Sequence, residues 1–349
     1  MTRLVNRSAA LLLALAAGGA GQAAPAFDIS GAGATFPYPV YAKWAEAYMR
    51  QTGVRVNYQP IGSGGGIKQV QAGTVTFGAT DKPLQSAELD ASGLVQWPMI
   101  VGGVVPVANV KGVKPGELVL DGATLAAIYL GEIKKWNDAR IKKLNPGLEL
   151  PNQFVAPVYR SDGSGTNFLF TSYLSSASPE FNAKVGANTS VAWPVGFGSK
   201  GNEGVANMAG RTAGAIGYVE YAFVKQTGMP YARLVNRDGN TVAPSIAAFQ
   251  AAAANADWSS ANHYSLVLVD QPGAESWPIT GASFILIRRH AKNAGEALAA
   301  LEFFDWAYRE GDQLAIELDY VPLPDNVVAL VRQTWSEEIT ASGKPVWNR

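Results

Sequence analysis

The run Ile29-Ser30-Gly31-Ala32-Gly33-Ala34-Thr35-Phe36 leads into Pro39-Val40-Tyr41-Ala42-Lys43-Trp44-Ala45-Glu46-Ala47-Tyr48. A β-like segment passes through a cluster of small and hydroxyl residues into a helix. Val40, Tyr41, Trp44 and Tyr48 fall on one helical face, and the proline stands at the start, where a helix tolerates it. The same design recurs in Tyr58-Gln59-Pro60-Ile61-Gly62-Ser63-Gly64-Gly65-Gly66-Ile67-Lys68, and in Tyr159-Arg160-Ser161-Asp162-Gly163-Ser164-Gly165-Thr166-Asn167-Phe168-Leu169-Phe170. Val75-Thr76-Phe77-Gly78-Ala79-Thr80-Asp81 ends a strand on an acid. Val54 to Gln59 alternates as a half-exposed strand, and Ala297 to Ala307 is a strongly amphipathic helix. Strands alternating with helices predict an α/β protein.

Two apolar stretches, Met99 to Val107 and Trp277 to Ile287, read as buried strands interrupted by small residues. They bracket the middle of the chain as crossings between two lobes would. Residues 27–104 and 280–349 then build one discontinuous lobe, and 105–279 build the other.

The repeated design has a chemical use. A helix start presents unpaired backbone N–H groups and the positive end of the helix dipole, so anions settle there. Glycine lets backbone approach a ligand, and hydroxyls add donors. Arg160 offers a planar fork for an oxyanion. Two readings of the Arg160 stretch compete: Ser164 as a nucleophile, or the whole segment as a cradle for an anion that is held and never transformed.

Nucleotide motifs fail. The Gly62–Lys68 run lacks the Gly-Lys-Ser/Thr of a P-loop, and Phe36 stands where a dinucleotide fingerprint needs a small residue. Asp162-Gly163-Ser164-Gly165-Thr166 is not a nucleophile elbow. The two histidines, His263 and His290, lie in polar surroundings expected at the surface. Without cysteine, and with so little histidine, neither a transition metal nor a cofactor is expected.

The 349 residues include 48% apolar and 16% charged side chains, enough for a large core. The 28 basic and 28 acidic residues balance, which argues against a nucleic-acid binder. Arg3 and Arg7 precede the apolar run Ala9 to Ala17, which is too short to span a bilayer. Small residues follow, as in a secretory signal occupying residues 1–26 and cut after Ala23 or Ala26. Cleavage after Ala26 leaves 26 basic against 28 acidic residues, a net charge of −2. The expected product is soluble, exported and free of disulfides.

Taken together, Ser30 to Pro37, Gly62 to Gly66, Phe77 to Asp81 and Asp162 to Thr166 resemble the anion-binding segments of the PstS-type periplasmic phosphate-binding proteins. Gly116 to Gly122, Ile128 to Gly131, Gly214 to Tyr221 and Phe303 to Tyr308 extend the resemblance across the chain in order. It implies a two-lobed type II periplasmic-binding fold, with two crossing strands as hinge and the ligand in the cleft. It further implies a monomeric, non-enzymatic periplasmic receptor that delivers inorganic phosphate to the membrane permease of an ABC transporter, without a membrane anchor or nucleic-acid partner. Carried over residue by residue, the phosphate ligands would be Thr35, Phe36, Ser63, Asp81, Arg160, Ser164, Gly165 and Thr166, with Asp162 orienting Arg160. Gly64 departs from relatives with a second serine.

Asp81 is informative because a carboxylate repels an anion unless that anion brings a proton to donate. Phosphate keeps at least one proton at neutral pH and sulfate keeps none, so Asp81 would discriminate by repulsion. Three alternatives remain: an exported phosphoester hydrolase using Ser164, the same fold holding molybdate or sulfate, or an adhesin or sensor without transport.

Overall fold

The computed structural model describes residues 28–254 and 256–348. The expected signal segment, residues 1–26, lies outside the described residues.

An eight-stranded mixed sheet organises the chain. Its order is Val56–Gln59, Ile29–Gly33, Phe77–Thr80, Thr280–Arg288, Leu94–Ala108, Ala215–Glu220, Ala156–Arg160 and Phe197–Ser199. The first three strands run parallel, as do the last three, and the two middle strands run antiparallel to their neighbours.

The 15-residue strand Leu94–Ala108 serves both halves. Through Gly103 it pairs with Thr280–Arg288, and from Val104 it pairs with Ala215–Glu220. All its residues are buried, which explains why it reads as an unbroken apolar run rather than an alternating one. The second chain passage is pinned beside it: Val104 N–H donates to the Ile279 carbonyl at 2.8 Å, and Trp277 Nε1 donates to the Val104 carbonyl at 2.9 Å. These are the two crossing strands of a two-lobed binding-protein fold. Gly102 lies at the crossing because a β-carbon there would stand 3.0 Å from the Phe36 ring and 3.2 Å from the Tyr320 ring.

One continuous core runs through both halves, with an aromatic group in each. Trp97 meets Phe304 and Trp335 edge-on at 5.8 and 5.3 Å, and Phe77 meets Phe304 at 5.0 Å. In the other half, Phe170 stacks on Tyr218 at 4.0 Å, and Tyr129 meets Phe170 edge-on at 5.0 Å. Such pairs add about 0.5–1.5 kcal/mol each beyond their buried area.

The helix expected after Thr35 spans Tyr38–Thr52 and buries Val40, Tyr41, Trp44 and Tyr48, the face given by their spacing. It ends at Gly53, whose left-handed backbone returns an N–H to the Met49 carbonyl. Helix Ala294–Glu310 contains the expected amphipathic run and is capped by Asn293. The alternating strand is shorter at its start than the sequence pattern suggests, beginning at Val56. Among the described residues, no helix is long and apolar enough to cross a membrane.

Candidate functional site

Three helices start at one place between the two halves of the sheet. Thr35 and Phe36 precede helix Tyr38–Thr52, Ser63 opens helix Ser63–Ala72, and Ser164 caps helix Gly165–Ala177. Strands ending at Gly33, Gln59 and Arg160 deliver these starts to the same edge of the sheet. This is the end at which open α/β sheets bind ligands.

Asp81 follows strand Phe77–Thr80 and is 1% exposed. Its Oδ1 accepts the Ser283 hydroxyl at 2.8 Å, whereas Oδ2 is buried and has no hydrogen-bond partner. Burial pushes the Asp81 carboxyl up to about 7, against the opposing pulls of the Ser283 hydroxyl, the Arg160 charge and the Thr166 N–H.

Arg160, 3% exposed, ends strand Ala156–Arg160. Its Nε and Nη2 donate to the two Asp162 oxygens at 2.8 and 2.6 Å, a bidentate pair that fixes the guanidinium plane. Nη1 is buried without a partner. Partial burial opposes ionisation of Asp162, yet the guanidinium and the Gly201 N–H hold its carboxyl below the ordinary value. One buried acceptor and one buried donor, Asp81 Oδ2 and Arg160 Nη1, thus lack protein partners within the same cluster.

The two halves touch directly here. Ser63 Oγ accepts the N–H of Gly165 at 3.0 Å and that of Asp81 at 3.3 Å. Gly64 N–H donates to the Gly163 carbonyl at 2.9 Å. A side chain at position 165 is excluded, since its β-carbon would stand 2.6 Å from Asp81 Oδ2. Ser164 Oγ accepts the Asn167 N–H at 3.0 Å as a helix cap, leaving the hydroxyl proton free to donate. Thr166 Oγ1 accepts from Asn202 Nδ2 at 3.2 Å. The structure therefore gathers Thr35, Phe36, Ser63, Asp81, Arg160, Asp162, Ser164, Gly165 and Thr166 around one point.

It also adds residues that sequence reasoning missed. Asn202 Nδ2 donates to Thr35 Oγ1 at 2.9 Å, and Ser283 partners Asp81. Asn202 had a signal: Phe197-Gly198-Ser199-Lys200-Gly201-Asn202 is another strand, small-residue, helix junction. Ser283 had none beyond being polar in an apolar strand. His290 is exposed and bonds Thr340, while half-buried His263 sits 4.0 Å from Glu338. Among the described residues, no histidine or carboxylate hydrogen-bonds Ser164 Oγ.

A cavity of about 370 Å³ lined by Thr35, Tyr38, Pro60, Lys200, Asn202 and Phe223 opens beside this cluster. A cavity of about 440 Å³ near Val101, Trp258 and Leu330 shares no residue with it.

Comparison with known proteins agrees with this architecture. A model described as a PBP superfamily domain matches residues 18–310. The chain is 49% identical over 339 residues to the phosphate-binding protein PstS of Pasteurella multocida, covering 97% of this chain and 98% of that protein. It is 51% identical over 310 residues to the PstS of Xylella fastidiosa, covering 89% and 85% respectively. Among solved structures, a phosphate-binding protein from Stenotrophomonas maltophilia superimposes with a TM-score of 0.69 at 21% identity, covering 91% of this chain and 97% of that one, a likeness of fold. The chain belongs to the PstS family of periplasmic binding proteins.

Proposed function

We propose that this chain captures inorganic phosphate in the periplasm and delivers it to the permease of an ABC transporter, binding without chemical transformation and acting as a monomer. The observation that carries the reading is the pair of buried, unpartnered groups, Asp81 Oδ2 and Arg160 Nη1. An anion that still holds a proton satisfies both, donating to the carboxylate and accepting from the guanidinium. Phosphate fits and fully deprotonated sulfate does not.

Thr35, Phe36, Ser63 and Asp81 act as one jaw, and Arg160, Ser164, Gly165 and Thr166 as the other, with Asp162 orienting Arg160. The jaws belong to lobes formed by residues 27–104 with 280–349, and by 105–279. The hinge lies where Leu94–Ala108 changes partners. Ligand entry exchanges the Gly165 N–H bond to Ser63 for one to the anion. Closing without a ligand leaves the Asp81 carboxylate desolvated, which is unfavourable. The matching anion relieves that cost and shifts the population to the closed form. The hydrolase alternative is disfavoured because, among the described residues, no histidine or carboxylate hydrogen-bonds the Ser164 hydroxyl.

Competition titration of Asp81→Asn tests the reading. The phosphate-over-sulfate preference is expected to narrow, and unchanged selectivity would sink it.

A further inference from the structure

Tyr320 Oη stands 2.7 Å from the Phe36 carbonyl oxygen and 2.7 Å from Glu220 Oε2. All three residues are fully buried. A phenol carries one proton, and a carbonyl can only accept. The Phe36 carbonyl therefore takes the Tyr320 proton, and the contact to Glu220 needs a proton of its own on the carboxyl. An ionised Glu220 would leave one of these short contacts between two acceptors.

The surroundings agree. Burial pushes the Glu220 carboxyl well above its ordinary value, outweighing the Tyr320 hydroxyl and the Ala222 and Tyr221 N–H groups that favour the ionised form, and the nearby Asp81 charge adds to the rise. The groups facing it are the Tyr320 phenol, the backbone N–H groups of Tyr221 and Ala222, and Asp81. Among the described residues, no lysine, arginine or histidine pairs with it.

The location gives this proton a task. Glu220 pairs with Val104, just beyond the crossing, whereas Val321, next to Tyr320, bridges Val101, just before it. The rings of Phe36 and Tyr320 pack over Gly102 between them. A second thread leaves the same residue: Glu220 N–H donates to Asn202 Oδ1 at 3.1 Å, and Asn202 Nδ2 reaches Thr35 Oγ1 at 2.9 Å. Both threads end on the Thr35–Phe36 turn, one jaw of the anion site.

We propose that Glu220 is a neutral carboxylic acid donating a hydrogen bond to Tyr320, and that the two are positioning residues that dock the Thr35–Phe36 turn across the hinge when the cleft closes on its anion. The docking role rests on the anion-capture reading; the protonation state does not.

The test has two arms. In the infrared spectrum of ligand-free protein at mildly alkaline pH, where Asp81 is ionised, wild type should show a protonated-carboxyl C=O band that is lost in Glu220→Gln. In phosphate titrations at neutral pH, Glu220→Gln should stay within about threefold of wild type, because its amide donates to Tyr320 as the acid does. Tyr320→Phe should weaken binding about tenfold, since it severs both contacts. Towards alkaline pH, affinity should decline more steeply in wild type than in Glu220→Gln. An infrared band unchanged by Glu220→Gln overturns the proposal, as does a Glu220→Gln variant that binds phosphate more weakly than Tyr320→Phe. If Tyr320→Phe does not fold, the infrared arm and the Glu220→Gln pH profile still decide. If wild type binds no phosphate, the anion-capture reading fails while the infrared arm still settles the proton.

Discussion

Gly165 and Asp81 approach so closely that a β-carbon on Gly165 would stand 2.5 Å from Asp81 Cβ and 2.6 Å from Asp81 Oδ2. The two residues come from different halves of the sheet, so in the proposed capture mechanism this contact forms when the jaws shut. Gly165→Ala should therefore spare the ligand-free protein and penalise the closed form. Overpacking of this kind costs about 1–3 kcal/mol, so phosphate affinity should fall roughly 10- to 100-fold. Calorimetric titration reads the loss, and thermal unfolding without ligand should shift little.

Ser283 donates to Asp81 Oδ1 and so favours the ionised carboxylate. The buried Asp81 titrates at about 7, far above an exposed aspartate. In the closed form the protonated acid gains weight as pH falls through that value. A protonated Asp81 offers an O–H that sulfate can accept, so sulfate should compete better with falling pH. Ser283→Ala removes a bond to the charged form, so that competition should begin at a higher pH. At mildly alkaline pH, where the wild-type carboxylate is mostly ionised, its sulfate affinity should exceed that of wild type by up to about tenfold in competition titrations, and the two should converge as pH falls.

Asp162 holds two Arg160 nitrogens and the Gly201 N–H. Asp162→Ala frees the guanidinium to turn and releases the start of the helix that carries Asn202. Phosphate affinity should drop about tenfold while the preference over sulfate, set at Asp81, persists. Parallel titrations with both anions check this.

Much of this site was legible because its members sit at one repeated kind of junction. Thr35, Ser63 and Ser164 to Thr166 each lie where a strand passes through small residues into a helix, a local signal. The crossing strands were legible for a similar reason, since Leu94–Ala108 is buried along its whole length and cannot alternate. Ser283, Glu220 and Tyr320 were not legible. Their roles arise from partners 202, 100 and 284 residues away along the chain, and each follows from register or tertiary packing. Ser283 reaches Asp81 only because Thr280–Arg288 pairs antiparallel beside Phe77–Thr80. No composition or spacing near Ser283 encodes that neighbour.

The balance of 28 basic and 28 acidic residues leaves little long-range field to attract an anion. Affinity should rest on short bonds in a site shielded from bulk ions. Phosphate affinity measured from low to moderate ionic strength should change less than about threefold. A steep decline would point instead to a diffuse electrostatic site.

On this reading Asp81 and Arg160 select a protonated oxyanion together, one accepting its proton and the other donating to its oxygens. Calorimetric titration of the wild-type protein with phosphate, sulfate and molybdate in turn is the decisive measurement of that selectivity. Tight one-to-one binding of phosphate is expected at mildly alkaline pH, where Asp81 is ionised and phosphate still holds a proton, with no comparable binding of the other two. Absence of phosphate binding, or sulfate or molybdate binding of similar strength, would contradict it.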